Sequence, residues 1–276
     1  MRREVERKKN SKFTRRKIII AAIVAVLLVV FCVWQNKGLT VTQYKVTNSK
    51  NSSTLRIVQI SDLHNASFGR DNKWLLDKVR KEKPDIIVIT GDLVDSGHTD
   101  ISTAVSLVDA LTDIAPTYYV NGNHEPWLDA ATEESLYDSI EKAGAVLLMN
   151  TYTRLEGNII LAGLDDSSLN DNTLMEMLQN AEDDCYVILL AHEPQYINNY
   201  AAGGADLVLT GHVHGGQFRL PIAGGLLSPE HGFFPEYSEG LVRSGNTDMI
   251  ISRGLGNSVI PLRLFNRPEI VSVDIL

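Results

Sequence analysis

The sequence predicts an α/β fold preceded by one transmembrane helix. Two patterns carry that expectation. From residue 55 onward, short continuous apolar runs alternate with amphipathic stretches, which is how buried strands and the helices that cover them read. Ahead of these lies a run of 17 residues, 18–34, with no charge and no proline, at the short end of what crosses a bilayer.

The N-terminal segment comes first. Residues 1–17 carry nine Lys or Arg against two acids, a charge of +7. A basic flank of this kind stays in the cytoplasm, so residues 18–34 are expected to span the membrane once, with everything beyond them outside the cytoplasm. Trp34 suits an interfacial anchor, and 35–39 reads as a short tether. A cleaved signal peptide is the competing reading, but no small-x-small site follows; the exit is Phe31-Cys32-Val33-Trp34-Gln35-Asn36-Lys37. Thr14-Arg15-Arg16-Lys17-Ile18-Ile19 loosely resembles a twin-arginine export signal.

The remaining elements follow in order. Residues 40–47 are rich in β-branched side chains and predict a strand, with 48–53 a polar turn. Strands are expected at 55–60, 85–90, 117–120, 145–149, 159–162, 185–190 and 206–210. Helices are expected at 72–83, 101–111, 132–143 and 173–180. After Gln217 the chain turns Gly- and Pro-rich, and strands return at 248–252 and 270–275. With 276 residues, 44% of them apolar, the chain can bury one large core, so 40–276 is expected to be a single catalytic domain.

Charge and cysteine content narrow the function classes. The net charge of -8 hides a split, because residues 18–276 hold 17 cations against 32 acids. So acidic a body is a poor general binder of nucleic acid. The two cysteines, Cys32 and Cys185, sit in separate apolar runs, so neither a disulfide nor a zinc knuckle is expected. There is no Gly-x-Ser-x-Gly elbow and no phosphate-binding Gly-x-x-x-x-Gly-Lys-Ser/Thr loop.

Five polar clusters each follow an apolar strand run: Asp62-x-His64, Gly91-Asp92-x-x-Asp95, Gly122-Asn123-His124-Glu125, His192, and Gly211-His212-x-His214. In open α/β sheets, ligand sites collect beyond the carboxyl ends of strands. Asp62 with His64, and His212 with His214, are each two apart, so in an extended segment each pair points one way and can grip one ion. Of the seven histidines only His98 and His231 fall outside these clusters. Any one cluster alone is ordinary turn chemistry, but together and in order they point to a metal centre.

Taken together, these clusters resemble the signature of the calcineurin-like metallophosphoesterases, over roughly residue 55 to the C-terminus. Gly211-His212-Val213-His214-Gly215-Gly216-Gln217, followed by Ser228-Pro229-Glu230-His231-Gly232, is similar to a membrane-associated bacterial branch of that family. The resemblance implies two packed mixed β-sheets flanked by helices, a four-layer sandwich with two metals at the sheet edge. It implies that Asp62, His64, Asp92 and His214 hold one ion and that Asp92, Asn123, His192 and His212 hold the other, Asp92 bridging. His124 would protonate the leaving oxygen, and Asp95 would orient His124. The mixed His, Asp and Asn set favours Mn, Zn or Fe over Ca or Mg. Two divalent ions against two carboxylates leave a positive excess that suits a phosphate despite the acidic body. In the protein serine/threonine phosphatases of this superfamily an arginine follows the second Asp of the Gly-Asp motif; Ser96 stands there, which argues against phosphoprotein substrates.

The expected function is therefore a membrane-anchored binuclear-metal phosphohydrolase. Its substrate would be a phosphorylated small molecule or lipid, and a lipid-linked or envelope compound fits the anchor. The rival is a non-catalytic metal-binding envelope protein on the same fold. The sequence is silent on oligomeric state.

Overall fold

The computed structural model describes residues 2–48, 50, 53–166, 172–179, 184–220, 224–228, 232–258 and 261–276, with side chains described from residue 15 onward. Pro229, Glu230 and His231 of the second branch motif, Asn180 of the expected helix, and three residues of the 48–53 turn lie outside the described residues.

Helix α1 (Arg2–Lys37) contains the apolar run. Its stretch Arg15–Lys37, 23 residues, is long and apolar enough to cross a membrane: at 1.5 Å per residue it spans about 35 Å. Residues such as Ile18, Leu27 and Val29 are about 60% exposed, as a lipid-facing helix requires. The tether differs from expectation. Gln35, Asn36 and Lys37 remain helical, so only Gly38 and Leu39 separate α1 from strand β1 (Thr40–Val46). The physical reason is docking. Gln35 is buried, Asn36 bonds to the backbone of Arg263, and Lys37 Nζ donates to Ser67 O at 2.9 Å.

Beyond β1 the strands are β2 (Leu55–Ile60), β3 (Ile86–Thr90), β4 (Thr117–Val120), β5 (Val146–Leu147), β6 (Thr151–Leu155), β7 (Ile159–Gly163), β8 (Tyr186–Leu190), β9 (Leu207–Thr210), β10 (Phe218–Leu220), β11 (Gly224–Ser228), β12 (Gly232–Phe233), β13 (Gly240–Ser244), β14 (Thr247–Ile251) and β15 (Glu269–Ile275). The helices are α2 (Lys73–Glu82), α3 (Ile101–Thr112), α4 (Ala130–Lys142), α5 (Thr173–Met177) and α6 (Ile197–Ala202). They build two six-stranded mixed sheets, ordered β1-β15-β2-β3-β4-β5 and β13-β14-β9-β8-β7-β6, and a small antiparallel sheet β10-β11-β12.

Strand alternation sorts the side chains into layers. Along β3, Ile86 and Val88 join the inter-sheet core with Ile188, Leu190, Leu209 and Ile250. Ile87 and Ile89 face the other way, against Leu75 and Val79 of α2 and Leu107 and Leu111 of α3. Val187 and Leu189 of β8 likewise turn outward to Leu174 of α5 and Ile197 of α6. Helices, sheet, sheet, helices: this is the expected four-layer sandwich. At about 25 cal/mol per Å² of apolar area, each fully buried Ile or Leu in these layers contributes roughly 1.5–3 kcal/mol.

The elements that sequence periodicity did not reveal lie at the margins. β6 and β13 are the edge strand and terminal strand of the second sheet, with mixed polar sequences and partly exposed side chains. α6 is six residues long, too short for a helical period to register. α5 ends at Met177, earlier than expected, and β5 is two residues.

Candidate metal centre

All five polar clusters come off carboxyl ends of neighbouring parallel strands. Asp62 and His64 follow β2, Asp92 follows β3, Asn123 and His124 follow β4, His192 follows β8, and His212 and His214 follow β9. The first three strands belong to one sheet and the last two to the other, so the clusters meet where the sheets' ends face each other. Gln59 ties the two sheets there: its amide donates to Thr90 Oγ1 at 2.8 Å and to Thr210 O at 2.9 Å.

The paired ligands are not presented by extended backbone, as their spacing suggested. Asp62, His64, Asp92, His212 and His214 all have positive φ, between 43° and 75°. Non-glycine residues rarely adopt this left-handed region, and such strain clusters at functional sites. The loops are laced together to hold it: Asp62 N donates to Gly91 O at 3.1 Å, His64 N to Asp92 O at 3.0 Å, and Gly211 N to His192 O at 3.0 Å. Gly122 is required by close approach, because a Cβ there would collide with the Asp92 carboxylate and the His192 ring.

Seven donors converge, and every one of their residues is buried. His64 Nε2 and His214 Nε2 are 3.2 Å apart, and His214 Nε2 lies 3.9 Å from Asp62 Oδ1. Asp92 Oδ2 stands between two groups of donors, 3.4 Å from His64 Nε2 and 3.2 Å from His192 Nε2. Asn123 Oδ1 lies 3.1 Å from His192 Nε2 and 3.0 Å from His212 Nδ1. Imidazole nitrogens and carboxylate oxygens packed this closely form a donor set that a divalent cation satisfies.

The hydrogen bonds around the donors fit that cation. Asp62 Oδ1 accepts from His212 N at 2.8 Å, while its Oδ2 is buried with no hydrogen-bond partner. Such an orphan is costly unless an ion takes it. His192 Nδ1 donates to Thr90 O at 2.8 Å, which fixes the tautomer and leaves Nε2 as a lone-pair donor. Burial, together with His64 and Arg263, holds the His214 imidazole well below its ordinary range, so it offers a lone pair at neutral pH. Burial alone would raise the Asp92 carboxyl, but His192, His64 and His124 outweigh it and hold Asp92 well below the usual carboxylate range.

Glu125 completes the cage from beneath. It is fully buried, and its carboxylate accepts from Gly122 N at 2.7 Å, Leu93 N at 2.8 Å, Asp92 N at 3.0 Å and Val94 N at 3.4 Å. It thereby buckles the loop that carries Asp92 to the loop that carries Asn123. Burial and the neighbouring Asp92 push its carboxyl up to about 7, against the pull of the backbone N–H groups.

His124 lines the cleft above the donors with Ser228 and Ser258, and Trp127 packs on its ring at 4.8 Å between centroids. Here one expectation is corrected. The His124 ring is met at Nδ1 by Ser96, whose N–H donates at 3.2 Å and whose hydroxyl also stands at 3.2 Å. Asp95, expected to orient His124, stands near both His64 and His124 but makes no direct bond to the His124 ring: its Oδ2 is 3.9 Å from His64 Nδ1, and its Oδ1 accepts from Gly97 N at 2.8 Å. The reason is local. Asp95 caps its own turn, which swings the next backbone N–H toward His124.

Three contributors carried no recognised signal in the sequence. Ser96 looked only like a missing arginine. Arg263 and Asn266 lie in the Gly- and Pro-rich tail, yet Arg263 Nη2 reaches within 3.3 Å of His214 Nδ1 and Asn266 Nδ2 donates to His214 O at 2.7 Å.

Comparison with known proteins agrees with this architecture. The family model for calcineurin-like phosphoesterases matches residues 55–216. The metallophosphoesterase YkuE of Bacillus subtilis is 32% identical over 224 residues, covering 78% of this chain and 77% of that protein. A metallophosphoesterase of Aquifex aeolicus is 30% identical over 267 residues, covering 91% of this chain and 97% of that one. A transmembrane protein with metallophosphoesterase domain from Danio rerio is 30% identical over 277 residues, covering 93% of this chain and 61% of that one. With the family model spanning more than half of the chain and strand-end donors gathered into one buried cage, this protein belongs to the calcineurin-like phosphoesterases and is a metal-dependent phosphoester hydrolase.

Proposed function

We propose that this enzyme is a single-pass membrane protein that cleaves a phosphoester or pyrophosphate bond in a headgroup at the extracytoplasmic membrane surface. The observation that carries the reading is exposed aromatic side chains both beside the anchor helix and on the small sheet that borders the cleft. Phe265, 55% exposed, packs on Phe31 of α1 with ring centroids 5.8 Å apart. Its neighbour Leu264 bridges to Phe218 of β10. Across the same small sheet stand Phe233 and Phe234, 73% and 61% exposed, while Ser228 at the end of β11 lines the cleft. Exposed aromatics near a membrane helix fit the bilayer interface. The basic flank at 1–17 supports a domain outside the cytoplasm.

In this reading Asp62, His64, Asp92 and His214 would hold one divalent ion. Asp92, Asn123, His192 and His212 would hold the second, Asp92 serving both. Two such ions, Mn, Zn or Fe by donor type, would neutralise the phosphate oxygens and activate water. The chain's own residues do the rest. Ser96 N–H occupies His124 Nδ1, so the ring proton sits on Nε2, facing the cleft. From there the His124 N–H hydrogen-bonds the leaving oxygen and stabilises the charge that develops on it. Trp127, 59% exposed against the same ring, shields that proton from bulk water on one side.

The test places the full chain in vesicles and compares a lipid phosphoester with its water-soluble headgroup analogue. The proposal expects the lipid to be the better substrate, and Phe233→Ser with Phe234→Ser to narrow the difference. A soluble analogue cleaved as well or better, with no effect of the serines, would remove the lipid reading and leave the phosphoesterase.

A further inference from the structure

We propose that Asn36, in the last turn of the anchor helix, is a positioning residue for the metal centre, acting through Arg263 and Asn266 on His214. This rests on His214 being a metal ligand, as read above, and it makes the anchor a working part of the site.

The argument starts at Arg263. It heads the largest fully buried side chains of the domain. A buried cation is expensive unless its donors are matched, and here they are spent on one loop. Nε donates to Gly256 O at 3.0 Å and Asn257 Oδ1 at 3.1 Å, and Nη1 donates to Arg253 O at 2.8 Å. Nη2 also bonds to Gly256 O and reaches His214 Nδ1 at 3.3 Å. The guanidinium thus packs the 253–257 turn against the far side of the His214 ring, a steric contact and not a hydrogen bond, because a ring that ligates through Nε2 keeps its proton on Nδ1. Three residues on, Asn266 fixes the other half of that ligand by donating to His214 O at 2.7 Å and to Gln217 O at 3.2 Å. His214 has a left-handed backbone, φ 52°, so its ring direction depends on such outside contacts.

What holds the 263–267 stretch is α1. Asn36 clasps the peptide at Arg263 from both sides: its Oδ1 accepts from Arg263 N at 2.9 Å, and its Nδ2 faces Arg263 O at 3.4 Å. The same amide is steadied by donating to Cys32 O at 2.8 Å, one turn back along the helix. Arg267 closes the clamp, stacking over Trp34 at 4.5 Å and donating to Gly38 O at 2.7 Å and Leu39 O at 3.3 Å. The chain of contacts is continuous from the membrane exit to the ligand, with Asn36 its first polar link.

Partners that orient ligands typically change metal affinity 10–100-fold, and Asn36 acts one contact further out, so we expect about a 10-fold loss. The experiment is a Mn²⁺ titration of the full chain in detergent micelles, following free Mn²⁺ by electron paramagnetic resonance, with the thermal midpoint recorded beside it. In Asn36→Ala, one of the two ions should bind about 10-fold more weakly while the other is unchanged. Asn36→Asp keeps the acceptor for Arg263 N–H and should restore the affinity. If alanine leaves too little folded protein, Asn36→Leu, with the same branching and a higher helix propensity, makes the same test. Unchanged affinities for both ions would overturn the proposal. So would an equal weakening of both that tracks a lowered thermal midpoint, since that marks a structural role. None of these readouts uses a substrate, so the outcome is independent of whether the lipid reading stands.

Discussion

Replacing Glu125 by alanine should cost the protein more stability than any ligand substitution. The Glu125 carboxylate is fully buried and accepts three backbone N–H groups within 3.0 Å, from Gly122, Leu93 and Asp92. Truncation leaves these donors unpaired in a site closed to solvent. At about 1–3 kcal/mol for each orphan, and allowing for water entering the space, the loss is on the order of 3–6 kcal/mol. Domains are stable by only about 5–15 kcal/mol, so much of the protein would unfold under mild stress. Glu125→Gln keeps the volume and one acceptor oxygen but turns an NH₂ toward the donors, and should lose about half as much. The measurement is urea unfolding followed by tryptophan fluorescence, on metal-free protein. A pH series adds a sign. The Glu125 carboxyl is pushed up to about 7 from its ordinary 4.5, so the folded state binds its proton more tightly than the unfolded chain does. Its stabilisation is complete below about 4.5 and fades as pH rises through about 7. The glutamine variant should lack that slope. An alanine variant within about 0.5 kcal/mol of the parent would refute the brace.

Three further outcomes follow from the same geometry. His124→Ala should lose turnover by about 10²–10⁴-fold while both metals stay bound, and alkyl phosphoesters should suffer more than aryl ones, whose leaving groups need less protonation; equal losses on both would argue that His124 positions substrate instead. Gly122→Ala should lower metal content as well as activity, because its Cβ would displace the Asp92 carboxylate and the His192 ring; metal analysis showing full occupancy would contradict the close approach. Protease added to intact cells should reach the domain beyond Lys37, and digestion only after lysis would reverse the topology read from the +7 flank.

Much of this molecule was legible in its sequence, for reasons that can be named. Continuous apolar runs such as Ile86-Ile87-Val88-Ile89 are buried on both faces, and that double burial made β3 readable. The donor residues were readable because each sits directly after such a run. The edge strand β6 and the terminal strand β13 were not readable, since side chains half in water carry no clear period. The backbone of the ligand loops was also out of reach: spacing of two suggested an extended presentation, whereas Asp62 and His64 alternate through left-handed conformations. Long-range partners were the hardest. Nothing local to Asn36, Arg263 or Asn266 marks them, because their meaning depends on contacts more than 200 residues apart for Asn36 and Arg263 and about 50 apart for the contacts with His214. Ser96 was noticed for what it replaces and not for the bond it makes to His124.

We read these seven buried residues as one cage for two divalent ions, with Asp92 between them. Quantitative metal analysis of the full chain against its Asp92→Asn variant, each loaded with Mn²⁺ and then exchanged into metal-free buffer, tests it most directly. Two ions per chain are expected in the parent, with the coupled electron paramagnetic resonance signal of paired Mn²⁺ ions roughly 3.5–4 Å apart, and at most one, uncoupled, in the variant. Two retained, coupled ions in Asp92→Asn would contradict it.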